Sequence, residues 1–505
     1  MRFQSLAREL KKLDPKIWVL HDQRLRITGV VDDSRAVMPG NLFAALPGSK
    51  HDGTGFVRDA LNRGAGALLV GRPLKEFKLV PQIVSDDPRR TLGHLASLLY
   101  GHPSRHMKVI GITGTNGKTT SAFMMREIFE RCGIRCGLMG TVWNIVGNER
   151  RTAKLTTASS LSVQRMLAEM RALGQEACVM EVSSHALDQH RVTGVEFKGA
   201  IFTNLTRDHL DYHGDFEQYF NAKARLFEML HPVRSVAVVN LDDQYGARMA
   251  SRARSVCFGV GEHPESDVDV EQIDLGVQGM SFGMRWLSRG SMFHSPMTGR
   301  YNVQNLSGAI TMALALDLPL PKIRAAVMDF KGAPGRLERV RFDKPAPSVF
   351  VDYAHTPDAM QNVLTTLRQV CEGRKLTCIF GCGGDRDRTK RPQMGAIGAE
   401  LADRPIVTSD NPRSEDPASI IEEILAGFPP QKKPAEVYVD RREAIHKAIS
   451  EASPEDVIVI VGKGHEDYQI FSDRTVHFDD REEARNALEH FWGVAGSGRR
   501  ALAVN

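Results

Sequence analysis

The sequence predicts an α/β protein of three domains, and three observations support this. Short apolar runs over 109–113, 177–182, 200–203 and 236–240 alternate with helical patterns over 121–132 and 216–230, the rhythm of parallel strands joined by crossover helices. The rhythm resumes past residue 335, with strands over 349–353, 376–380, 405–409, 436–439 and 457–461, which predicts a second doubly wound sheet of Rossmann-like type. The 505 residues, 42% of them hydrophobic, supply apolar material for several cores.

Taken in order, residues 1–14 interleave charge with apolar side chains as a short amphipathic helix does, without the apolar stretch of a signal peptide. The run 65–70 is the clearest strand of the first block, and 91–100 reads as a helix. Gly101-His102-Pro103 then breaks the chain, and the turn-rich 331–335 breaks it again. The domains expected are therefore 1–105, 106–335 and 336–505, with a mobile tail over 493–505. Ligands of such sheets lie beyond the carboxyl ends of the strands.

The 66 basic and 61 acidic residues are spread along the chain, so the net charge of +5 implies mild attraction for anions and no nucleic-acid partner. Seven cysteines, an odd number in mostly apolar segments, read as reduced thiols of a cytoplasmic protein. Cys378 and Cys382 read as packing, since no second pair accompanies them. No apolar run approaches about 18 residues, which argues against membrane insertion.

Six segments carry chemistry. Strand 109–113 runs into Gly114-Thr115-Asn116-Gly117-Lys118-Thr119-Thr120 and then a helix, an arrangement that holds nucleotide phosphates and points to ATP. Ile112 stands where the full Walker pattern has its first glycine, so the match is to the shorter core. Lys118 offers charge to the terminal phosphates and Thr119 a hydroxyl to Mg²⁺. Glu181 ends the next strand and is a candidate Mg²⁺ ligand. The loop 203–214 crowds acids, imidazoles and an arginine together, and position alone does not choose between His209 and His213. Lys223, by spacing alone, reads as a solvated helical lysine. In the last block, Arg386 follows a glycine turn and Arg413 follows Asp410-Asn411-Pro412, so each guanidinium can fork onto a carboxylate. Glu466, in the loop after strand 457–461, could meet an ammonium, and two arginines with one acid suit a zwitterion.

These strings, together with Glu-Val-Ser-Ser-His at 181–185, Tyr-Asn-Val-Gln-Asn at 301–305, Gly-Arg-Leu-Glu at 335–338 and Asp-Tyr-Ala-His-Thr-Pro-Asp at 352–358, resemble the Mur ligase family in content and order. That family comprises ATP-dependent amide-forming enzymes of peptidoglycan synthesis, and the resemblance covers nearly the whole chain. Asp410-Asn411-Pro412-Arg413 is similar to the signature of members that add diaminopimelate.

The resemblance implies that Gly114, Thr115, Asn116, Gly117, Lys118, Thr119 and Thr120 bind ATP with Asn302, Asn305, Arg336, Asp352 and His355. It implies Mg²⁺ at Thr119, Glu181 and His209, and a carbamylated Lys223 that helps hold a second Mg²⁺, against the spacing argument. Ser34, Ser49, Lys50 and His51 match the part that grips the UDP-sugar, so the first domain is expected to bind UDP-muramoyl substrate. Thr156, Thr157, Ser183, Gln189 and Arg191 match positions near the muramoyl peptide. Arg386, Asp410, Asn411, Pro412, Arg413, Gly462 and Glu466 match those around the amino acid. Leu155 stands where some members have asparagine, Ala158 where proline or glycine is common, and Asp32 and 49–51 also differ from familiar versions.

The expected substrates are UDP-N-acetylmuramoyl-L-alanyl-D-glutamate, meso-diaminopimelate and ATP, handled by a cytoplasmic monomer. Two other readings stand beside this one: a related ligase, adding lysine or acting as a folylpolyglutamate-type enzyme, and a P-loop ATPase or regulator without ligase activity. A hinge is expected at 332–335.

Overall fold

The computed structural model describes residues 1–21, 23–48, 52–261, 263–287, 289–432 and 435–493. Ser49, Lys50 and His51, and the tail beyond 493, lie outside the described residues. Two compact units divide the chain, one of 1–269 with 307–323, the other of 270–306 with 324–505.

The first unit opens with the helix Phe3–Leu13, whose Phe3, Leu6 and Leu10 recur at helical spacing and are wholly buried. They join a core with Leu92 and Leu95 of the helix Pro88–Leu99. The chain between these helices forms a five-stranded sheet ordered Trp18–Leu20, Gln82–Val84, Ala67–Val70, Asn41–Ala44, Gly29–Val31. Only Trp18–Leu20 runs antiparallel to its neighbour.

Six parallel strands of a larger sheet follow the order Ser255–Val260, Val236–Asn240, Gly199–Phe202, Lys108–Thr113, Ala177–Glu181 and Cys136–Met139. These strands are buried on both faces, which is why they read as continuous apolar runs. Lys108–Thr113 lies between Ala177–Glu181 and Gly199–Phe202, so the strand order reverses there and a crevice opens at its carboxyl end. Register sets Glu181 opposite Ile112, and Thr113 opposite Phe202, bringing three strand ends to one rim. The predicted helix 121–132 starts earlier, at Lys118–Arg131, because Gly117 takes a left-handed φ of 85° and turns the chain straight into it.

In the second unit a six-stranded sheet orders Glu338–Val340, Ser348–Asp352, Val457–Val461, Leu376–Phe380, Arg404–Thr408 and Glu436–Tyr438, antiparallel only at its first pair. It is doubly wound. Leu376, Cys378 and Phe380 join the core under Pro357–Cys371 and Pro417–Leu425, while Ile379 points into the core under Arg441–Glu451 and Asp480–Trp492. Cys378 and Cys382 are buried free thiols, as packing required. The turn at 332–335, expected as a hinge, lies inside this unit. Gly335 is packed so closely on Gly464 and His465 that a Cβ there would overlap their backbone.

Two features went unread in the sequence. Trp143–Val146 and Glu149–Thr152 form an antiparallel hairpin, and Gly279–Trp286 pairs antiparallel with Arg289–Ser295. Both mix exposed and buried residues without clean alternation, so neither gives a period-two signal.

The strand ends of the six-stranded sheet are tied by a buried ion pair. Arg441 forks onto Asp480 with both bonds at 2.7 Å, and donates to the Ser409 and Val461 carbonyls at 3.3 and 3.1 Å. Asp480→Ala would leave that guanidinium buried without its partner. The expected loss is about 3–5 kcal/mol of stability, read from urea unfolding by circular dichroism, and a loss below about 1 kcal/mol would contradict this role.

Candidate functional site

At the rim of the first unit, the loop after Lys108–Thr113 is shaped by glycine. Gly114 has φ 152°, and a Cβ there would overlap Thr203 Oγ1. The loop is buttressed from 203–206: Thr115 N–H donates to Asn204 O, and Asn116 N–H to Asn204 Oδ1, both at 2.9 Å. Thr203 Oγ1 donates to Asn116 O at 2.6 Å.

Two ammonium groups converge on this loop. Lys118 Nζ donates to Gly114 O at 2.9 Å and Thr115 O at 2.8 Å, and Lys223 Nζ donates to the same Gly114 carbonyl at 2.8 Å. The solvated-lysine reading of Lys223 is therefore wrong: only 1% of it is exposed. Its helix Phe216–Glu228, capped by Asp215, turns this position inward under the loop, with the amine 4.4 Å above the Tyr219 ring. Burial, and then Lys118, push the Lys223 amine well below the usual lysine range, while Asp208 opposes the shift.

Glu181 is wholly buried at its strand end, and its carboxylate is shared. It accepts from Thr119 Oγ1 at 2.9 Å, from Thr141 N–H at 2.8 Å and from Thr141 Oγ1 at 3.0 Å. Gly140 makes room, since a Cβ there would overlap Glu181 Oε1. Thr141 was not foreseen, because an uncharged residue after a short strand gives no sequence signal.

The residues matched to the peptide arm gather beside Glu181. Thr157 Oγ1 donates to Glu181 O at 2.8 Å and accepts the Ser183 amide at 3.1 Å. Thr156 Oγ1 lies 3.2 Å from Thr141 Oγ1. Arg191 donates to Thr157 O at 3.0 Å and to Gln189 Oε1 at 2.7 Å.

The structure separates the two histidines of the loop. His213 is 6% exposed, with Nε2 2.9 Å from Ser184 Oγ, so it is a satisfied interior group. His209 is left-handed at φ 53°, its side chain 48% exposed and beside Asp208 at 3.4 Å. It is the histidine with a ring nitrogen open to a ligand. Ser34 is buried in the short turn Ser34–Ala36 and bonds the Asp59 carboxylate.

In the second unit, Asn302 Nδ2 donates to Thr298 O at 2.8 Å and Asn305 Nδ2 to Asn302 Oδ1 at 3.2 Å, both side chains buried. Tyr301 next to them is half-buried, and burial, then the Asp352 carboxylate, push its phenol above the usual tyrosine range while Arg336 opposes. Asp352 accepts the Leu337 and Ala354 amides at 2.6 and 2.8 Å. The Arg336 guanidinium lies 5.0 Å from the Tyr353 ring, and its Nε has no hydrogen-bond partner. His355 Nδ1 is 2.9 Å from Tyr353 O.

Farther along the same sheet edge, three strand-end loops meet. Arg413, left-handed at φ 53°, donates to Gly384 O at 2.7 Å. A Cβ at Gly383 would stand 2.8 Å from the Arg413 guanidinium and 3.8 Å from Arg386 Cγ, so the two arginines flank one glycine. A Cβ at Gly384 would overlap Pro412 O. Asn411 Nδ2 donates to Glu466 Oε2 at 2.9 Å. Asp410 is 7% exposed, one carboxylate oxygen lacks any hydrogen-bond partner, and Lys463 Nζ stands 3.8 Å away. Gly462 (φ 118°) keeps space beside Asp410 Oδ2. Burial raises the Glu466 carboxyl, with Lys463 opposing. Lys463, buried and bonded to the Tyr468 carbonyl, is a member of this cluster that sequence reading did not single out.

Among the described residues no group of three or more His, Cys, Asp or Glu is arranged to hold a metal. The oxygens of Thr119 and Glu181 are nevertheless hard donors of the kind Mg²⁺ takes, with phosphates and water completing its shell.

The chain is similar to known proteins over most of its length. The family models described as Mur ligase family, catalytic domain; Mur ligase middle domain; and Mur ligase, glutamate ligase domain match residues 26–100, 112–313 and 335–464. The UDP-N-acetylmuramoyl-L-alanyl-D-glutamate--2,6-diaminopimelate ligase of Parasynechococcus marenigrum (strain WH8102) is 45% identical over 476 residues, 92% of this chain and 95% of that protein. The protein of the same name from Clostridium perfringens (strain 13 / Type A) is 41% identical over 488 residues, covering 95% and 98%. A solved structure bearing that name aligns with TM-score 0.72 and 33% identity over 95% of this chain and 98% of its own. MurF from Acinetobacter baumannii shares the fold at TM-score 0.62 and 23% identity over 90% and 94%. Three family domains in order, with relatives alike from end to end, leave one conclusion: the chain belongs to the Mur ligase family.

Proposed function

We propose that this chain is an ATP-dependent amide ligase that adds meso-diaminopimelate to the D-glutamyl carboxylate of UDP-N-acetylmuramoyl-L-alanyl-D-glutamate in peptidoglycan precursor synthesis. The names of its end-to-end relatives support the reaction. The observation that carries amino-acid choice is the Arg413 guanidinium, anchored on Gly384 beside Arg386.

The D-glutamyl γ-carboxylate attacks the γ-phosphorus of ATP, giving an acyl phosphate and ADP. The amine of diaminopimelate then attacks the acyl carbon, loses a proton and expels phosphate. Lys118 and the backbone of 114–120 offset charge on the phosphoryl oxygens as two anions approach. Mg²⁺ held by Thr119, Glu181 and His209 would supply further charge neutralisation there. Lys223, with its amine pushed toward the neutral form, is suited to take up CO₂ as a carbamate that adds a carboxylate to this rim. Thr156, Thr157, Ser183, Gln189 and Arg191 position the peptide arm, and Ser34, with 49–51, the UDP-sugar. Asn302, Asn305, Arg336, Asp352 and His355 serve the nucleotide. Asp410, Asn411, Pro412, Gly462 and Glu466 complete the amino-acid pocket, where the carboxylates of Glu466 and Asp410 meet the ammonium and the arginines meet carboxylates.

The domain limits 1–105, 106–335 and 336–505 assign UDP-muramoyl, ATP and amino-acid binding in that order. A monomer acting in the cytoplasm fits a nucleotide-linked substrate, and no helix among the described residues is long and apolar enough to cross a membrane.

Lys118→Ala should reduce ADP release at least about 100-fold while leaving the melting temperature unchanged, and near-normal turnover would rule the scheme out. L-lysine lacks the second carboxylate, so it leaves a guanidinium unpaired; its rejection should amount to about 2–5 kcal/mol in kcat/KM, measured as ADP release across an amino-acid panel. Depleting CO₂ should lower activity and bicarbonate restore it in the unsubstituted enzyme but not in Lys223→Ala; indifference to bicarbonate would remove the carbamate.

A further inference from the structure

Behind the loop that carries Arg386 lies a second guanidinium. Arg391, in the helix Lys390–Leu401, is wholly buried. It forks onto Glu415 at 2.9 and 2.8 Å and donates to Glu423 Oε2 at 2.8 Å, with the Gly383 carbonyl at 3.4 Å. Glu415 also accepts the Asp385 amide at 2.6 Å. Asp385 in turn accepts the Ser414 hydroxyl at 2.6 Å, and the Gly384 amide donates to Asn411 O at 2.9 Å. One buried fork thus fastens the glycine loop 381–385 to the segment 410–415, and Arg413 lies at that join.

Backbone conformation points the same way. Asp385 and Arg413 are both left-handed, at φ 54° and 53°, a region that side chains other than glycine adopt at a cost. Such conformations persist where surrounding bonds over-determine them, and here the Arg391–Glu415 fork supplies bonds on both sides. Burying a guanidinium is costly even when partly exposed carboxylates meet it, and it gains little stability over an apolar replacement, so a fork at this place specifies geometry. The Arg391 hydrogen bonds, and then the Asp385 amide, hold the Glu415 carboxyl down at about 2, so it stays ionised under ordinary assay conditions.

We propose that Arg391 and Glu415 are positioning residues for amino-acid selection: without touching substrate, they hold the Arg413 guanidinium where the second carboxylate of the amino acid is received. This rests on the function proposed above.

The test compares Glu415→Ala, Glu415→Gln and Ser414→Ala with the unsubstituted enzyme, using meso-diaminopimelate, L-lysine and ATP. In Glu415→Ala the KM for meso-diaminopimelate should rise about tenfold or more, the KM for ATP should stay within about twofold, and the preference over L-lysine should narrow. Glu415→Gln, which keeps the shape and one of the two acceptor oxygens, should recover part of the lost affinity. Ser414→Ala, which loosens the join at an exposed contact, should shift the same ratio more weakly and decides the matter if Glu415→Ala does not fold. A purely structural role would depress kcat or the folded fraction for all substrates alike. Unchanged KM ratios and preference in the folded variants would overturn the inference while leaving the function intact. Failure of the unsubstituted enzyme to use meso-diaminopimelate would overturn the function and this inference with it.

Discussion

Two lysine amines share one carbonyl, that of Gly114, and the chemistry of the first unit follows from that crowding. The Lys118 cation makes Lys223 harder to keep charged, and the water-poor setting amplifies the effect. Lys223, wholly enclosed, takes most of the penalty, with burial as the larger cause and Lys118 as the second. Lys118 remains at the head of its helix, where the phosphates of a nucleotide would collect both its charge and the loop's N–H groups. An anion arriving here replaces repulsion with attraction. The loop is thus built for an occupant, and its glycines are needed because a Cβ at Gly114 would overlap Thr203, the very residue that buttresses the turn.

Much of this was legible in the sequence, for a definite reason. Parallel strands buried on both faces, such as Val457–Val461, read as unbroken apolar runs, and their ends locate a ligand rim almost without further information. Glu181, Arg386 and Arg413 were singled out by that rule together with the loop, turns and charge beside them. The antiparallel pair Gly279–Trp286 and Arg289–Ser295 was not, because its residues are unevenly half-buried and turn-like glycine and serine interrupt it. Lys223 marks the limit of local reasoning. Helical spacing places it on a face but cannot say what covers that face, and its partner carbonyl is 109 residues away in the chain. Family resemblance supplied its importance, and packing supplied the physical reason. The choice between His209 and His213 likewise needed a third dimension, since Ser184, which satisfies His213, is remote in sequence.

Thr141 and Arg391 escaped for opposite reasons. Thr141 carries no charge, and its value lies in holding both oxygens of Glu181 at once. Arg391 carries a charge in a chain where a quarter of the residues do, and nothing in the neighbouring sequence separates a buried guanidinium from a solvated one.

Buried charge recurs at the strand-end rim of each unit, and desolvation makes that costly unless hydrogen bonds complete every pairing. Strand ends reduce the cost, because carbonyls released from the sheet stand ready as acceptors. Arg441 takes those of Ser409 and Val461, Lys463 that of Tyr468, Lys118 those of Gly114 and Thr115, and Arg391 that of Gly383. A cation fixed in this way has a direction as well as a charge, which a solvated lysine or arginine lacks. Where a reaction must bring anionic groups together, direction decides which anion is neutralised. That is why the rim tolerates charges that the same fold, judged for stability alone, would exchange for leucine.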